Sequence, residues 1–161
     1  MIFVTVGSQM AFDRLIRAVD RWAGTTPGVP HVLAQIGPST LVPTHVESRQ
    51  ALSPAEFNAA VARADVIVAH AGMGSVLTAM ELGKPLVLMP RRGDLQETRN
   101  DHQVATAKWL SKRAGIYVAM DEHDLPTALA DALASAQGTA TIAPYATPQL
   151  LDALRQFIGA A

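Results

Sequence analysis

The sequence predicts an α/β fold: a Rossmann-like parallel sheet with helices on both faces. Short β-rich runs alternate with segments of helical period, the pattern of βαβ units. The runs are apolar without in/out alternation, as strands covered on both faces are. The segments between them carry helix start signals of their own. With 161 residues, 49% of them hydrophobic, the chain is expected to form a single domain over residues 1–161 with a packed core.

The first strand is expected at Ile2–Val6, inside MIFVTVG, which lacks the basic start of a signal peptide. Phe12, Leu15, Ile16, Val19, Trp22 and Ala23 then recur at i, i+3, i+4 spacing on one helix face. His31–Ile36 reads as the second strand and His45–Ser48 as a weaker one. Ser53, Pro54 and Glu56 occupy N-cap, N1 and capping-box positions ahead of Phe57, Ala60, Val61 and Ala64. Strands follow at Val66–Ala69, Leu86–Met89 and Ile116–Ala119, with helices at Ser75–Leu82, Asp101–Ser111 and Asp124–Ser135. Gln137–Tyr145, made of small residues and proline, reads as a linker. The last helix occupies about residues 147–159, with Thr147 as cap and Pro148 at N1, and runs through Phe157.

Composition removes several function classes. Net charge is −1, from 13 basic and 14 acidic residues with no block of like charge, so nothing marks a nucleic-acid footprint. The absence of cysteine excludes disulfides, thiolate metal sites and a cysteine nucleophile, and it fits a reducing cytoplasm. The apolar stretches Ala64–Ala69 and Pro85–Pro90 are too short to cross a bilayer.

Right-handed crossovers place the loops that follow strands along one edge, where ligands of open α/β sheets bind. Gly7 and Ser8, just after the first strand, offer a tight turn, free N–H groups and a hydroxyl for an anion; they equally make an ordinary turn. In ADVIVAHAGMGS a buried strand runs into His70, Gly72 and Gly74 bracket Met73, and Ser75 opens a helix. Small residues at a helix N-terminus suit phosphate, and a histidine satisfied by backbone is the competing reading. The spacing matches neither a P-loop nor GxGxxG. The polar loop RRGDLQETRNDHQ ends in Asn100, Asp101, His102 and Gln103, a cluster of donors and acceptors suited to sugar hydroxyls, or simply a solvated loop.

Taken together, HAGMGS, TAMELGKPLVLMPRR and RNDHQ, with the opening FVTVGS, resemble the C-terminal domain of glycosyltransferase family 28 over roughly residues 1–135. The likeness is greatest to its short single-domain members, the catalytic subunit of the eukaryotic dolichol-linked GlcNAc transferase and bacterial exopolysaccharide transferase subunits. It implies the donor half of a GT-B enzyme, in which the C-terminal domain holds the UDP-sugar and the N-terminal domain the acceptor. By that likeness Gly7 and Ser8 line the cleft near the phosphates, His70, Gly74 and Ser75 bind the diphosphate, and Gly72 belongs to the same substrate-binding set. Asp101 and Gln103, flanked by Asn100 and His102, would meet the donor-sugar hydroxyls. The family usually places a ribose-binding glutamate six residues after the first motif glycine; counted from Gly72, that position is Thr78, with Glu81 a turn further on. Arg91, with Arg92, is expected either to grip a uronate carboxylate on the sugar or to be solvated or meet a partner.

Inverting transfer needs a base, stabilisation of the leaving diphosphate and alignment of the substrates. The chain supplies the second; His31, His45 and His123 lack a supporting motif for the first. The resemblance implies no metal and no cofactor besides the UDP-sugar itself. The base and the lipid-linked sugar acceptor are expected on a membrane-anchored partner subunit resembling the N-terminal half of a GT-B enzyme. The chain would then be cytoplasmic and peripheral to the membrane through that partner. Leu150, Leu151, Leu154, Phe157 and Ile158 form an apolar stripe that either docks this partner or packs back on the sheet; left bare, it predicts a homo-oligomer. A non-catalytic UDP-sugar-binding regulatory subunit and a nucleotide-sugar epimerase relative stay open as other readings.

Overall fold

The computed structural model describes residues 1–135 and 148–159. The chain runs β1 (Ile2–Thr5), α1 (Asp13–Thr25), β2 (Val32–Gln35), β3 (Glu47–Arg49), α2 (Pro54–Arg63), β4 (Val66–His70), α3 (Met73–Glu81), β5 (Leu86–Met89), α4 (His102–Leu110), β6 (Ile116–Val118), α5 (Leu125–Ala134) and α6 (Pro148–Gly159). The strands are all parallel, in the order β3-β2-β1-β4-β5-β6. The chain order reverses between β1 and β4, and their carboxyl ends therefore bound the crevice where such sheets take ligands.

Side chains of each strand alternate between separate cores. Ile2, Val4, Val66, Val68, Val87 and Met89 pack under α1 and α5 against Leu15, Ile16, Val19, Leu125 and Leu129. Phe3, Ile67, Ala69, Leu86 and Leu88 pack under α2, α3 and α4 against Val61, Val76, Ala79 and Leu110. Each fully buried side chain of this size contributes about 1.5–3 kcal/mol, which explains why the strand runs are apolar on both faces. The Ser53 hydroxyl accepts from the Glu56 N–H while the Glu56 carboxylate accepts from the Ser53 N–H at 2.8 Å, so α2 starts on the expected capping box.

Some boundaries differ from expectation, each for a local reason. Phe12 does not open the α1 helix: it is the N-cap, with non-helical φ −138 and ψ 62, and it is buried at 1% exposure. β4 continues one residue to His70, which pairs with Met89 of β5. α3 starts at Met73, so Gly72, not a later residue, is its N-cap. The weak strand lies at Glu47–Arg49 on the sheet edge, where its exposed residues pair only with β2. Thr147 and the Gln137–Tyr145 linker lie outside the described residues. In α6, Leu150, Leu154, Phe157 and Ile158 are 52%, 48%, 79% and 71% exposed, so the stripe is not buried against the sheet. Among the described residues no helix is long and apolar enough to cross a membrane.

Candidate functional site

His70 stands at the carboxyl end of β4, on the switch point, with the β1–α1 loop on one side and the start of α3 on the other. Gly7 is held at φ +78, and a Cβ there would come within 3.0 Å of the His70 Cε1. A Cβ on Gly72 would sit 2.3 Å from the His70 Nε2. The ring is wedged between glycines, and a side chain at either position would displace it. Its Nδ1 is buried with no hydrogen-bond partner. Burial first, and the Arg91 charge second, hold the imidazole below its ordinary value against the pull of the Thr5 carbonyl, so the ring is neutral at pH 7. A neutral imidazole offers one N–H and one lone pair.

Beside it, the N-terminus of α3 is uncapped: Gly72 makes no side-chain cap bond, and the first N–H groups of a helix have no intrahelical acceptor. A Cβ on Gly74 would meet nothing within 4 Å, so a ligand could approach that backbone closely. Ser75 adds a half-buried hydroxyl in the same turn. Positive helix-end dipole, free donors and open space together favour an anion.

A cleft of about 360 Å³ opens beside His70, lined from the expected set by Gly7, Ser8, His70, Arg91, His102 and Gln103, whereas Gly72, Gly74 and Ser75 at the start of α3 are not among its lining residues. Gln9, Met10 and Thr98 also line it and were not singled out by sequence. Gln103 is 7% exposed, and its Oε1 accepts from the Arg91 N–H at 3.1 Å, which leaves the amide donors as its free end. The buried Thr5 hydroxyl donates to Gln35 Oε1 at 2.9 Å beneath the cleft floor.

Arg91 corrects the sequence reading. It is neither a free fork for a sugar carboxylate nor solvated: it is 4% exposed. Its guanidinium donates to the carbonyls of Val6 (2.8 Å), Met10 (2.6 Å), Ala11 (2.6 Å) and Glu97 (3.3 Å), and it lies 4.6 Å above the Phe12 ring. A turn that aims several carbonyls inward needs a cation, and Arg91 supplies one. Arg14 reinforces the joint, donating to both Glu97 carboxylate oxygens at 2.8 Å and to the Pro90 carbonyl at 2.9 Å. The two walls of the cleft are thereby tied into one unit. Arg92 pairs with Asp94 outside it.

The Asp101–Gln103 pair is split. Asp101 is the N-cap of α4, its Oδ1 accepts from the Gly93 N–H at 2.8 Å, and it lines a separate hollow with Arg92, Asp94 and Asp121. Residues two apart on a helix do not share a face, which is why the sequence pair diverges. Asn100 is bonded through its Oδ1 to the His102 ring. Thr78 is back-bonded, its hydroxyl donating to the Gly74 carbonyl at 3.0 Å, and it lies off the cleft wall. Among the described residues no group of His, Cys, Asp and Glu is gathered for a metal.

Residues 1–147 match the model of the glycosyltransferase family 28 C-terminal domain. The chain belongs to this family. It is 31% identical over 125 residues to the human UDP-N-acetylglucosamine transferase subunit ALG13, and 31% identical over 124 residues to its mouse counterpart. Those matches cover 72% and 71% of this chain but 11% and 10% of the relatives, so the chain spans about a tenth of their length. Among solved structures, the calicheamicin glycosyltransferase CalG4 superposes with a TM-score of 0.57 at 20% identity, over 99% of this chain and 43% of that one. The solution structure of ALG13 superposes with a TM-score of 0.54 at 17% identity, over 95% of this chain and 93% of that one. At these identities the likeness establishes the shared fold, that of a GT-B glycosyltransferase domain.

Proposed function

We propose that this family 28 domain is the donor-binding, catalytic subunit of a two-part inverting glycosyltransferase that takes its sugar from a UDP-sugar. The observation that carries the reading is the His70 ring wedged between Gly7 and Gly72 beside an uncapped, unobstructed helix N-terminus. In the reaction the bond between the sugar C1 and the diphosphate oxygen breaks, the acceptor oxygen bonds C1, and the acceptor proton passes to a base. The leaving UDP carries the developing charge, and the α3 N–H groups, Ser75 and the His70 N–H would be the donors that take it. Gln103 and His102 line the cleft beside His70 and would orient the sugar.

No residue of the cleft combines the position and the partners of a general base. We assign that role to a membrane-anchored partner that also holds a lipid-linked acceptor, in exopolysaccharide or glycolipid synthesis on the cytoplasmic side. The human relative's name, a transferase subunit for UDP-N-acetylglucosamine, supports both the donor nucleotide and the division of labour. Occupation of Arg91 by backbone carbonyls favours a neutral hexose over a uronate. The α6 stripe is the surface we assign to the partner. No cofactor enters this scheme besides the donor.

Calorimetry with UDP and UDP-sugars tests it. His70→Ala and Ser75→Ala should each remove a donor worth about 1.5–3 kcal/mol to a charged phosphate. Competition should rank UDP-GlcNAc or UDP-glucose ahead of UDP-glucuronic acid. Unchanged UDP affinity in both variants would remove the site.

A further inference from the structure

α4 begins at the donor cleft and ends at the opposite edge of the sheet, where its last turn and the following residues read Lys108-Trp109-Leu110-Ser111-Lys112-Arg113. Trp109 is 59% exposed, with the Arg113 guanidinium 4.8 Å above its ring. Lys108, Lys112 and Arg113 are exposed, and among the described residues none has an ion-pair partner. No acidic residue occurs between Asp101 and Asp121.

The topology adds neighbours to this patch. α2, α3 and α4 share one layer, and all end at the amino edge of the sheet. That edge therefore also carries exposed Arg63 at the end of α2 and half-exposed Leu82 after α3. Lys84 lies there too, its Nζ donating to the Ala62 and Ala64 carbonyls at 2.9 and 2.8 Å. The acids at the same edge are Glu81, Asp65, Glu47 and Asp131; Asp65 is paired with the terminal ammonium, Glu47 with His31 and Arg49, and Asp131 lines a hollow with Ser111. The edge is cationic in a chain whose net charge is −1.

We infer that this edge is a contact surface for an anionic lipid bilayer. An indole with one face apolar and a polar N–H settles at the headgroup level, and lysines and arginines beside it meet lipid phosphates while their stems lie along the apolar zone. Basic clusters of this kind attract the negative cytoplasmic leaflet. RNA would be the competing anion, but domains that hold it carry a broad basic face and a strongly positive charge balance, which this chain lacks. Because cleft and patch lie at opposite ends of α4, the bilayer would leave the cleft open to donor and partner. The bilayer and donor readings are independent: vesicle binding needs neither donor nor partner, and UDP titration reports on the cleft alone.

The protein supplies its own probe. It has only two tryptophans; Trp22 is 8% exposed and already in the core, so any shift in emission reports Trp109. Vesicles of phosphatidylcholine with a third phosphatidylglycerol should shift the emission to the blue and sediment the protein, whereas pure phosphatidylcholine should do neither. At about 1 kcal/mol per cation, a factor of about five, Lys108→Gln with Lys112→Gln should lower the partition roughly thirty-fold. Trp109→Ala should weaken sedimentation with an unchanged melting curve. Absence of binding to anionic vesicles, equal binding to neutral ones, or an undiminished partition in the double variant would each overturn the inference. So would an emission shift with single-stranded RNA and none with vesicles.

Discussion

Replacing Arg91 by methionine should destabilise the protein without removing a ligand contact. The magnitude follows from what the guanidinium holds. The Val6 carbonyl is buried, so leaving it unpaired costs about 1–3 kcal/mol. The Met10, Ala11 and Glu97 carbonyls are only partly covered and can turn to water, so each loss is discounted to a few tenths up to about 1 kcal/mol. Loss of the stacked Phe12 contact adds about 0.5–1 kcal/mol, and relief from burying a cation offsets part of the total. A net cost of about 3 kcal/mol lowers Tm by roughly 6–12 °C in a chain of this size. Arg91→Lys keeps the charge but not the fork and should recover about half of that. Thermal unfolding followed by circular dichroism, beside UDP-glucuronic acid calorimetry, decides the matter. A melting point within about 2 °C of the parent, together with lost affinity for the uronate donor, would show that the guanidinium does not hold the turn and would return Arg91 to the sugar.

The remaining predictions concern the His70 pocket and α6. Gly72→Ala puts a Cβ where the His70 Nε2 now sits, and should cut UDP affinity at least about ten-fold for an overpacking cost of about 1–3 kcal/mol. Gly74→Ala meets open space, so it should leave Tm equal or higher yet still weaken UDP binding, because the ligand needs that space. Since His70 is depressed in the fold, stability that is full above pH 6.5 should fall as the pH drops through and below that value; His70→Gln should flatten this slope in pH-dependent denaturation. A bound diphosphate opposes the depression, so affinity for a UDP-sugar should rise from pH 8 to pH 6 in the parent and not in His70→Gln. A chain ending at Tyr145 should keep its fold and UDP binding while losing partner capture in a pull-down; undiminished capture would show that α6 is not the dock.

What could be read from the sequence was local. The Ser53–Pro54–Glu56 start of α2 involves neighbours only, and the strand runs are long enough in apolar residues to announce themselves. His70 and its glycines were legible as a strand–turn–helix joint, but the steric fit between Gly7 and the His70 ring joins loops from different βα units and appears only once β1 lies beside β4. Arg91 was misread for the same reason: its acceptors at Val6, Met10 and Ala11 lie far away along the chain, and nothing near Pro90 hints at them. Asp101 and Gln103 look like a unit in sequence, yet the helix that starts between them turns their side chains to different hollows. The Arg14–Glu97 pair is likewise a purely tertiary contact.

The most direct test of the donor site is an amide-resolved NMR titration of the intact chain with UDP. The largest, saturable shifts should fall on Gly7, His70 and Gly72 through Ser75, with smaller ones on His102 and Gln103, and His70→Ala should move their saturation to roughly ten-fold or more higher UDP. Shifts confined to surfaces away from the β1–β4 switch point, or none at millimolar UDP in a folded protein, would contradict this site.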